Sequence, residues 1–302
     1  MHISGKLIII GGAVDTGSFT EKQFNVPNNI NFFEHGILAR ILTESVHQTK
    51  SRIEVLPTAS RHPIEVGGEY VKAFASLDAH NVGVLNIQQR SEANQAEFIE
   101  RLQNADTLII TGGDQLRLTT ILAGTQFHDL LLDKYRNQNL LIAGTSAGAM
   151  AASNNMIYQG SSKEALYKGE VKITGGLGLI DEVIIDTHFV QRGRIGRLCQ
   201  AVVSNPSLMG IGLGEDTGLL ITEGRYMEAL GSGLVMLVDG KSIKDTNITD
   251  VPMGAPISIE NLTVHVLSIY DTFDLVDKKF IMFKNKQAMY EREEVEEKTL
   301  PN

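Results

Sequence analysis

The residues best arranged for chemistry in this chain of 302 residues lie in one turn, Gly144 to Gly148, with the sequence Gly-Thr-Ser-Ala-Gly. The apolar run Leu140 to Ala143 precedes the turn, and the small residues Ala147 to Ala152 follow it. A strand, a sharp turn and a helix in this order form a nucleophile elbow, where glycines let the strand and helix pass closely. The pattern predicts Ser146 as a nucleophile, although a plain turn between a strand and a helix can have the same composition.

A serine nucleophile needs a general base, and His188 is the best placed of the eight histidines. It follows the strand-like stretch from Val183 to Thr187, whereas the others fall at the terminus, in helices or connections, or in a late strand. The imidazole needs an acid to orient it, and Glu215 and Asp216 both follow an apolar strand. Spacing does not choose between these two acids, and Asp186 is a third candidate. The chain order Ser, His, acid differs from that of α/β-hydrolases and indicates a separate fold.

A second glycine-containing turn follows a predicted strand and could supply an oxyanion hole. Gly112 and Gly113 permit close backbone approach to a ligand, so an N–H group of Gly113 or Asp114 could act together with that of Ala147. Gln115 would then direct its amide at the substrate. The alternative is an ordinary strand-to-helix turn in which Asp114 caps the helix.

Three arginines, Arg192, Arg194 and Arg197, follow His188 within nine residues. Their guanidinium groups suit bidentate binding of carboxylates, which predicts an anionic group on the substrate. The alternatives are a solvated helix face and, for Arg197, an ion pair with an acid of the same chain. No metal-ligand spacing stands out, and acyl transfer by serine needs no cofactor, so we expect neither.

The elements that would position these residues alternate between short β-branched runs and amphipathic stretches, as in parallel strands joined by crossover helices. This pattern predicts a doubly wound parallel α/β sheet, with ligands bound at the carboxyl ends of its strands. The candidate strands are Lys6 to Ile10, Arg52 to Leu56, Val82 to Ile87, Thr107 to Thr111 and Leu140 to Ala143. The candidate helices include Phe33 to Thr49, Val66 to Leu77 and Gln95 to Leu102.

After about residue 205 the pattern changes to strand-like pieces separated by Gly and Asp turns, which predicts a β-rich C-terminal extension. The candidate strands there are Leu208 to Leu213, Gly218 to Thr222, Leu234 to Val238 and Thr263 to Ile269. No Pro-rich linker or repeat divides the chain. We therefore expect a single α/β domain over residues 1–290, followed by a charged C-terminal tail over residues 291–302.

The net charge of −9 argues against nucleic acid or an anionic membrane as a partner and favours a cationic or mixed-charge substrate. The one cysteine, Cys199, cannot form an internal disulfide, so nothing indicates an oxidising compartment. The apolar run Leu7 to Ile10 is too short for a signal-peptide core or a membrane span. These features predict a cytoplasmic protein.

Taken together, the motifs resemble the cyanophycinase family, in the order in which that family has them. The four motifs are Gly-Gly-Asp-Gln at 112–115, Gly-Thr-Ser-Ala-Gly-Ala at 144–149, Asp-x-His-Phe with the arginines at 186–198, and Gly-Ile-Gly-Leu-Gly-Glu-Asp-Thr at 210–217. The opening Gly-Lys-Leu-Ile-Ile-Ile-Gly-Gly-Ala at 5–13 also matches. The similarity extends to about residue 240. It implies a serine exopeptidase related to peptidase E, with the fold of class I glutamine amidotransferases.

By this resemblance Ser146 is the nucleophile, His188 the base and Glu215 the third member of the triad. The residues implied to bind the substrate are Gln115, Asp186, Thr187, Arg192, Arg194 and Arg197. The implied substrate is cyanophycin, a polyaspartate whose side chains carry arginine, with β-aspartyl-arginine as product, and the implied assembly is a homodimer. One departure concerns specificity, because this chain has Thr187 where the family usually has Gln. An aspartyl dipeptidase like peptidase E and a non-catalytic binding protein are the alternatives.

Overall fold

The computed structural model describes residues 3–12, 14–15 and 36–284 of the chain. The charged tail predicted over residues 291–302 and the start of the predicted helix at Phe33 lie outside these ranges. Within them the helices are α1 (Ile37–Glu44), α2 (Pro63–Ser76), α3 (Ala96–Gln103), α4 (Gln115–Leu122), α5 (Gln126–Asn137), α6 (Ala147–Ala151) and α7 (Ile195–Ser204), with 3-10 turns at Gln48–Lys50 and Glu92–Asn94.

The strands of the described residues fall into a first half interspersed with helices and a second half that is almost entirely β. The first group is β1 (Lys6–Ile10), β2 (Ile53–Leu56), β3 (Val82–Val84), β4 (Thr107–Ile110), β5 (Leu141–Thr145), β6 (Ser153–Gln159), β7 (Lys172–Gly175) and β8 (Ile180–Asp186). The second is β9 (Met209–Leu213), β10 (Thr217–Thr222), β11 (Tyr226–Gly231), β12 (Val235–Asp239), β13 (Asp245–Thr246), β14 (Ile259–Glu260), β15 (Thr263–Leu267), β16 (Thr272–Asp274) and β17 (Lys279–Ile281).

The larger sheet has nine strands in the order β17-β16-β11-β10-β1-β5-β4-β2-β3. Its strands β1, β5, β4, β2 and β3 run parallel, while β10, β11, β16 and β17 continue it in antiparallel pairs. The central strands are buried on both faces, as expected of parallel strands covered by helices. The predicted α/β class with a β-rich C-terminal part is confirmed.

A second sheet of six strands, in the order β15-β12-β9-β8-β6-β7, was not foreseen from the sequence. In it β6, β8 and β9 are parallel to one another. Strand β7 pairs antiparallel with β6, β12 with β9, and β15 with β12. The C-terminal strands are therefore not one extension, because β10 and β11 join the first sheet while β9, β12 and β15 join the second. Strands β13 and β14 form a separate pair.

The core has two parts because successive side chains of β1 lie on opposite faces of the first sheet. Ile8 and Ile10 pack in one cluster with residues of α1 and α2. Leu7 and Ile9 pack in the other, with residues of α4, α5, α6 and the second sheet. None of the helices in the described part of the chain has the length and apolar character needed to cross a bilayer.

The strand order brings the predicted site turns together. Strand β5 lies between β1 and β4, so the residues that follow these three parallel strands are neighbours at the carboxyl ends of the strands. The connection from β9 to β10 carries Glu215 from the second sheet to the first. The site therefore forms where the two sheets meet.

Candidate active site

The turn that carries Ser146 joins β5 directly to α6. Ser146 has φ 50° and ψ −104°, a left-handed backbone conformation that is costly for a residue with a side chain. A Cβ on Gly148 would lie 2.3 Å from the carbonyl oxygen of Ile110, and one on Gly144 would lie 2.6 Å from the backbone of Gly148. Both glycines are therefore needed for α6 to pass across β4 and β5, and this close passage holds Ser146 in its strained turn.

Three side chains from three separate turns form one line of hydrogen bonds. Ser146 Oγ lies 3.0 Å from His188 Nε2, and His188 Nδ1 lies 3.0 Å from Glu215 Oε1. With Nδ1–H donating to Glu215, the other ring nitrogen is free to accept the serine proton. This is the geometry required of a nucleophile, a general base and an orienting acid.

The structure also separates the three acids that spacing left as alternatives. The carboxylate of Asp216 accepts from the Asp15 amide at 3.2 Å and from Ser232 Oγ at 2.8 Å. That of Asp186 accepts from Arg197 and Arg194. Only Glu215 among the three contacts the imidazole.

Burial lowers the pKa of His188 below its ordinary value of 6.5, and the hydrogen bond that its Nδ1–H donates to Glu215 opposes this shift. The positive charges of Arg192 and Arg194 lower it further. A lowered pKa keeps the imidazole neutral near pH 7, and the neutral ring is the form that accepts a proton.

The turn after β4 lies directly beside the serine. A Cβ on Gly112 would be 3.4 Å from Ser146 Cβ, and Gly113 has φ 142°. The prediction of Asp114 as an oxyanion donor is wrong, because its N–H donates to the carbonyl of Ala59 at 2.9 Å. Its carboxylate instead caps α4 by accepting from two amides, which is the alternative that the sequence left open.

The remaining donors for an oxyanion are the backbone N–H groups of Gly113 and Ala147. Ala147 is the first residue of α6, where an amide has no acceptor within its own helix. The side chain of Gln115 was expected to direct its amide at the substrate. Its Nε2 donates to the carbonyl of Ile157 at 3.0 Å, which ties α4 to β6.

Two of the three arginines after His188 belong to a buried ion-pair cluster. Asp186 is fully buried, and Arg197 Nε donates to its Oδ2 at 2.7 Å while Arg197 Nη2 donates to Oδ1. Arg194 Nη1 donates to Asp186 Oδ1 at 3.1 Å and to the carbonyl of Thr187 at 2.7 Å. Asp186 and Arg197 are thus partners of each other, not open contacts for a ligand, which is the alternative that the sequence allowed for Arg197.

Arg192 differs from its two neighbours because its side chain is exposed, and the described residues offer it no hydrogen bond or ion pair. Its charge is close enough to His188 to lower the pKa of that ring. Within the predicted set, Arg192 is the cation available to a ligand.

Comparison with known proteins agrees with this arrangement. A family model described as peptidase family S51 matches residues 32–228. A cyanophycinase of Trichormus variabilis is 37% identical over 230 residues, which are 76% of this chain and 77% of that protein. A cyanophycinase of Geminocystis herdmanii is 35% identical over 226 residues, 75% of this chain and 83% of that protein. This chain belongs to peptidase family S51.

A solved structure supports the fold of this S51 member. A peptidase from an acI-B1 Actinobacterium superposes with a TM-score of 0.62 over 90% of this chain and 98% of its own, at 19% identity. At that identity the likeness concerns the fold alone. Family membership makes the protein a peptidase, and the serine type of the family agrees with the presence of Ser146 in the line of hydrogen bonds.

Thr187, the departure from the family pattern, is buried and directly precedes His188 in this S51 peptidase. Only 1% of the residue is exposed, and its Oγ1 has no hydrogen-bond partner within the ranges described. Its backbone carbonyl accepts from Arg194. The hydroxyl of Thr187 is thus buried and unpaired among the described residues, and its role in substrate binding stays a prediction.

Sequence reasoning missed two supports of the S51 site. The hydroxyl of Tyr70 on α2 lies 3.1 Å from Thr145 Oγ1, next to the nucleophile, and nothing in the pattern of α2 marks this residue. Phe189 packs against β9, where a Cβ on Gly212 would lie 2.6 Å from its ring. The glycines at alternate positions of β9 were a usable signal, because glycine on one face of a strand indicates close packing there.

No group of three or more His, Cys, Asp or Glu side chains that could hold a metal ion occurs in residues 3–12, 14–15 and 36–284.

Proposed function

We propose that this S51 peptidase is a serine exopeptidase that hydrolyses cyanophycin, multi-L-arginyl-poly-L-aspartate, and releases β-aspartyl-arginine dipeptides through an acyl-enzyme. The observation that carries the proposal is the line from Ser146 Oγ through His188 to Glu215, with both distances at 3.0 Å. It occurs in a chain whose relatives at 35–37% identity are called cyanophycinases.

In the first half of the proposed reaction, Ser146 Oγ attacks the aspartyl carbonyl carbon while His188 Nε2 takes the hydroxyl proton. Glu215 stabilises the resulting imidazolium through Nδ1–H. The N–H groups of Gly113 and Ala147 bind the oxyanion of the tetrahedral intermediate. The carbon–nitrogen bond then breaks, and His188 returns the proton to the leaving amine.

The second half repeats these steps with water in place of the serine. His188 Nε2 takes a proton from water, and the hydroxyl attacks the acyl carbon. The ester bond to Ser146 breaks, the proton returns to Oγ, and the free carboxylate leaves. Every proton is carried by one imidazole, so no further acid or base is required.

Substrate charge is the second support for cyanophycin. Each unit of the polymer has one carboxylate, on its arginine, and one guanidinium. The exposed guanidinium of Arg192 suits the carboxylate, and an acidic protein with a net charge of −9 suits the guanidinium. The ion pairs of Asp186 with Arg194 and Arg197 would fix the turn that carries His188, and Thr187 and Gln115 stay proposed substrate-binding residues.

The deciding experiment is mass spectrometry of the products released when the purified protein is incubated with cyanophycin. We expect β-aspartyl-arginine from the wild type and none from Ser146→Ala, the matched control that differs by one oxygen atom. Small Asp-X dipeptides are offered to the same preparations.

Two results would contradict the proposal in different ways. Cleavage of Asp-X dipeptides with the polymer untouched would indicate an aspartyl dipeptidase. Binding of β-aspartyl-arginine without turnover, and without labelling of Ser146 by a fluorophosphonate, would indicate a non-catalytic binding protein.

The assembly and domain organisation remain predictions. The homodimer implied by the family resemblance is checked by light scattering of the purified chain, and a monomer mass would contradict it. The single domain over residues 1–290 predicts one cooperative unfolding transition in calorimetry.

A further inference from the structure

Three consecutive carbonyl groups at the end of β1 bind the backbone of all three catalytic turns. The carbonyl of Ile10 accepts from the Ser146 amide at 2.8 Å, and that of Gly11 accepts from the His188 amide at 2.9 Å. The carbonyl of Gly12 accepts from the amide of Asp216, the residue next to Glu215, at 2.9 Å. One short segment thus joins turns that are far apart in the sequence.

The three donors share an unusual backbone conformation. Ser146, His188 and Asp216 have φ values of 50°, 49° and 44°, all in the left-handed region that residues with side chains rarely adopt. Such conformations persist only where the surroundings hold them. The hydrogen bond from each of these residues to β1 is a contact that can hold it.

Gly12 also sets the position of the His188 ring. A Cβ at Gly12 would lie 2.3 Å from Cε1 of that ring and 2.7 Å from Nε2, the atom that faces Ser146. Gly12 has φ 128°, where any other residue is strained. The ring therefore occupies space that exists because residue 12 has no side chain.

The carboxylate of Asp216 closes this arrangement on the side of Glu215. It accepts from the amide of Asp15, three residues beyond Gly12, at 3.2 Å and from Ser232 Oγ at 2.8 Å. Two hydrogen bonds therefore attach the turn that carries Glu215 to the segment after β1. Asp216 donates its amide to Gly12 in one and accepts from the Asp15 amide in the other.

We infer that the end of β1, from Ile10 to Gly12, is the element that positions the catalytic triad across the two sheets, with Gly12 and Asp216 as positioning residues. Neither contacts the reacting atoms of the substrate in the proposed reaction. The inference rests on the proposed function, because these hydrogen bonds can position a catalytic triad only if Ser146 and His188 take part in the reaction.

The test compares Gly12→Ala with Gly124→Ala. Gly124 is a matched control because it also has a left-handed backbone, φ 69°, and a Cβ there would meet nothing closer than Arg90 at 3.7 Å. For Gly12→Ala we expect kcat on cyanophycin and the rate of fluorophosphonate labelling of Ser146 to fall about a hundredfold, with KM little changed. Gly124→Ala should match the wild type in both rates.

A pH profile distinguishes positioning from a loss of stability. Burial and the charges of Arg192 and Arg194 lower the pKa of His188, whereas the hydrogen bond and charge of Glu215 raise it. A ring that is moved from Glu215 but stays buried loses the contributions that raise its pKa, so the acid limb of labelling should move to lower pH in Gly12→Ala. A variant that is only less stable would lose folded protein without moving this limb. A thermal unfolding curve of each variant gives the fraction of protein that is folded at the assay temperature.

If Gly12→Ala does not fold, Asp216→Asn provides the test. It keeps the size of the side chain but replaces one of the two oxygens that accept hydrogen bonds from Asp15 and Ser232 with an NH2 group. We expect its labelling rate to fall about tenfold. A folded variant at either position that labels within about threefold of the wild type would overturn the inference while leaving the proposed function intact. A wild type that is not labelled at all would overturn both.

Discussion

The turn that carries Ser146 and the turn that follows β8 each place a side chain of the proposed triad, but they are held in place by different forces. The Ser146 turn depends on the absence of side chains, since a Cβ on Gly148 would lie 2.3 Å from the Ile110 carbonyl. The turn after β8 depends on buried charge, because Asp186 is fully buried against Arg197 and Arg194. Close backbone packing stabilises the first turn, and buried ion pairs stabilise the second.

This difference predicts that the two turns respond differently to substitution. A close backbone passage is set by residues next to the nucleophile, so its requirements are local in the sequence. An ion-pair cluster needs partners that return from a helix after the strand, and breaking it leaves an uncompensated charge in the interior. The following substitutions test the contrast, in order of decreasing effect.

Ser146→Ala should have the largest effect on activity and little effect on stability. Removing the nucleophile should lower kcat by about a millionfold, because the other members of a triad cannot act without it. Hydrolysis of cyanophycin and the melting temperature are measured on the same preparation. Activity within about tenfold of the wild type would place the nucleophile elsewhere.

Glu215→Gln should lower kcat by about ten-thousandfold, because an amide can hold the wrong imidazole tautomer and does not stabilise the imidazolium. Glu223→Gln is the control, since Glu223 is an exposed acid in the turn between β10 and β11, and the same change of carboxylate to amide is made there. The control should keep wild-type kcat. Equal rates for the two variants would contradict the role given to Glu215.

Asp186→Asn should act mainly on stability. It leaves Arg197 buried without its anionic partner, which should cost about 3–5 kcal/mol in the free energy of unfolding. Glu260→Gln is the control, because its contact with Lys244 at 3.6 Å is between exposed side chains and should contribute little. Urea unfolding measures both, and similar values would remove the distinction between the two turns.

Arg192→Ala should have the smallest effect and should change binding more than stability. Loss of a charged hydrogen bond to the substrate carboxylate should raise KM about tenfold. Removing this positive charge should also raise the pKa of His188, so the acid limb of kcat/KM should move to higher pH. Arg192→Lys keeps the charge and should leave the limb in place, and an unmoved limb in Arg192→Ala would contradict the electrostatic role.

Much of the first sheet was predictable from the sequence because its strands are continuous apolar runs. The predicted strand Lys6 to Ile10 coincides with β1, and the predicted strands from Arg52 and Thr107 differ from β2 and β4 by one residue. Strands β6 and β7 were missed. Strand β7 consists mostly of exposed residues, and β6 has a bulge between Ile157 and Gln159. Both features interrupt the alternation of apolar and polar residues from which strands are predicted.

The candidate site shows the same division. Ser146 could be predicted because the glycines that its turn requires are its neighbours in the chain. Asp114 was predicted as an oxyanion donor and is a helix cap, since the acceptor of its amide, Ala59, follows a different strand. A contact between residues so far apart in the sequence has no periodicity to indicate it.

By itself the sequence determined the α/β class, the strained serine turn and the set of residues able to take part in acyl transfer, because these depend on local composition and spacing. Residue spacing left Glu215 and Asp216 as alternatives, and the tertiary structure shows that Glu215 is the one in contact with His188. It also shows that Arg197 pairs with Asp186, whereas the side chain of Arg192 is exposed. The physical reason is that hydrogen bonding and burial depend on which strands are neighbours, and here two sheets meet at the end of β1.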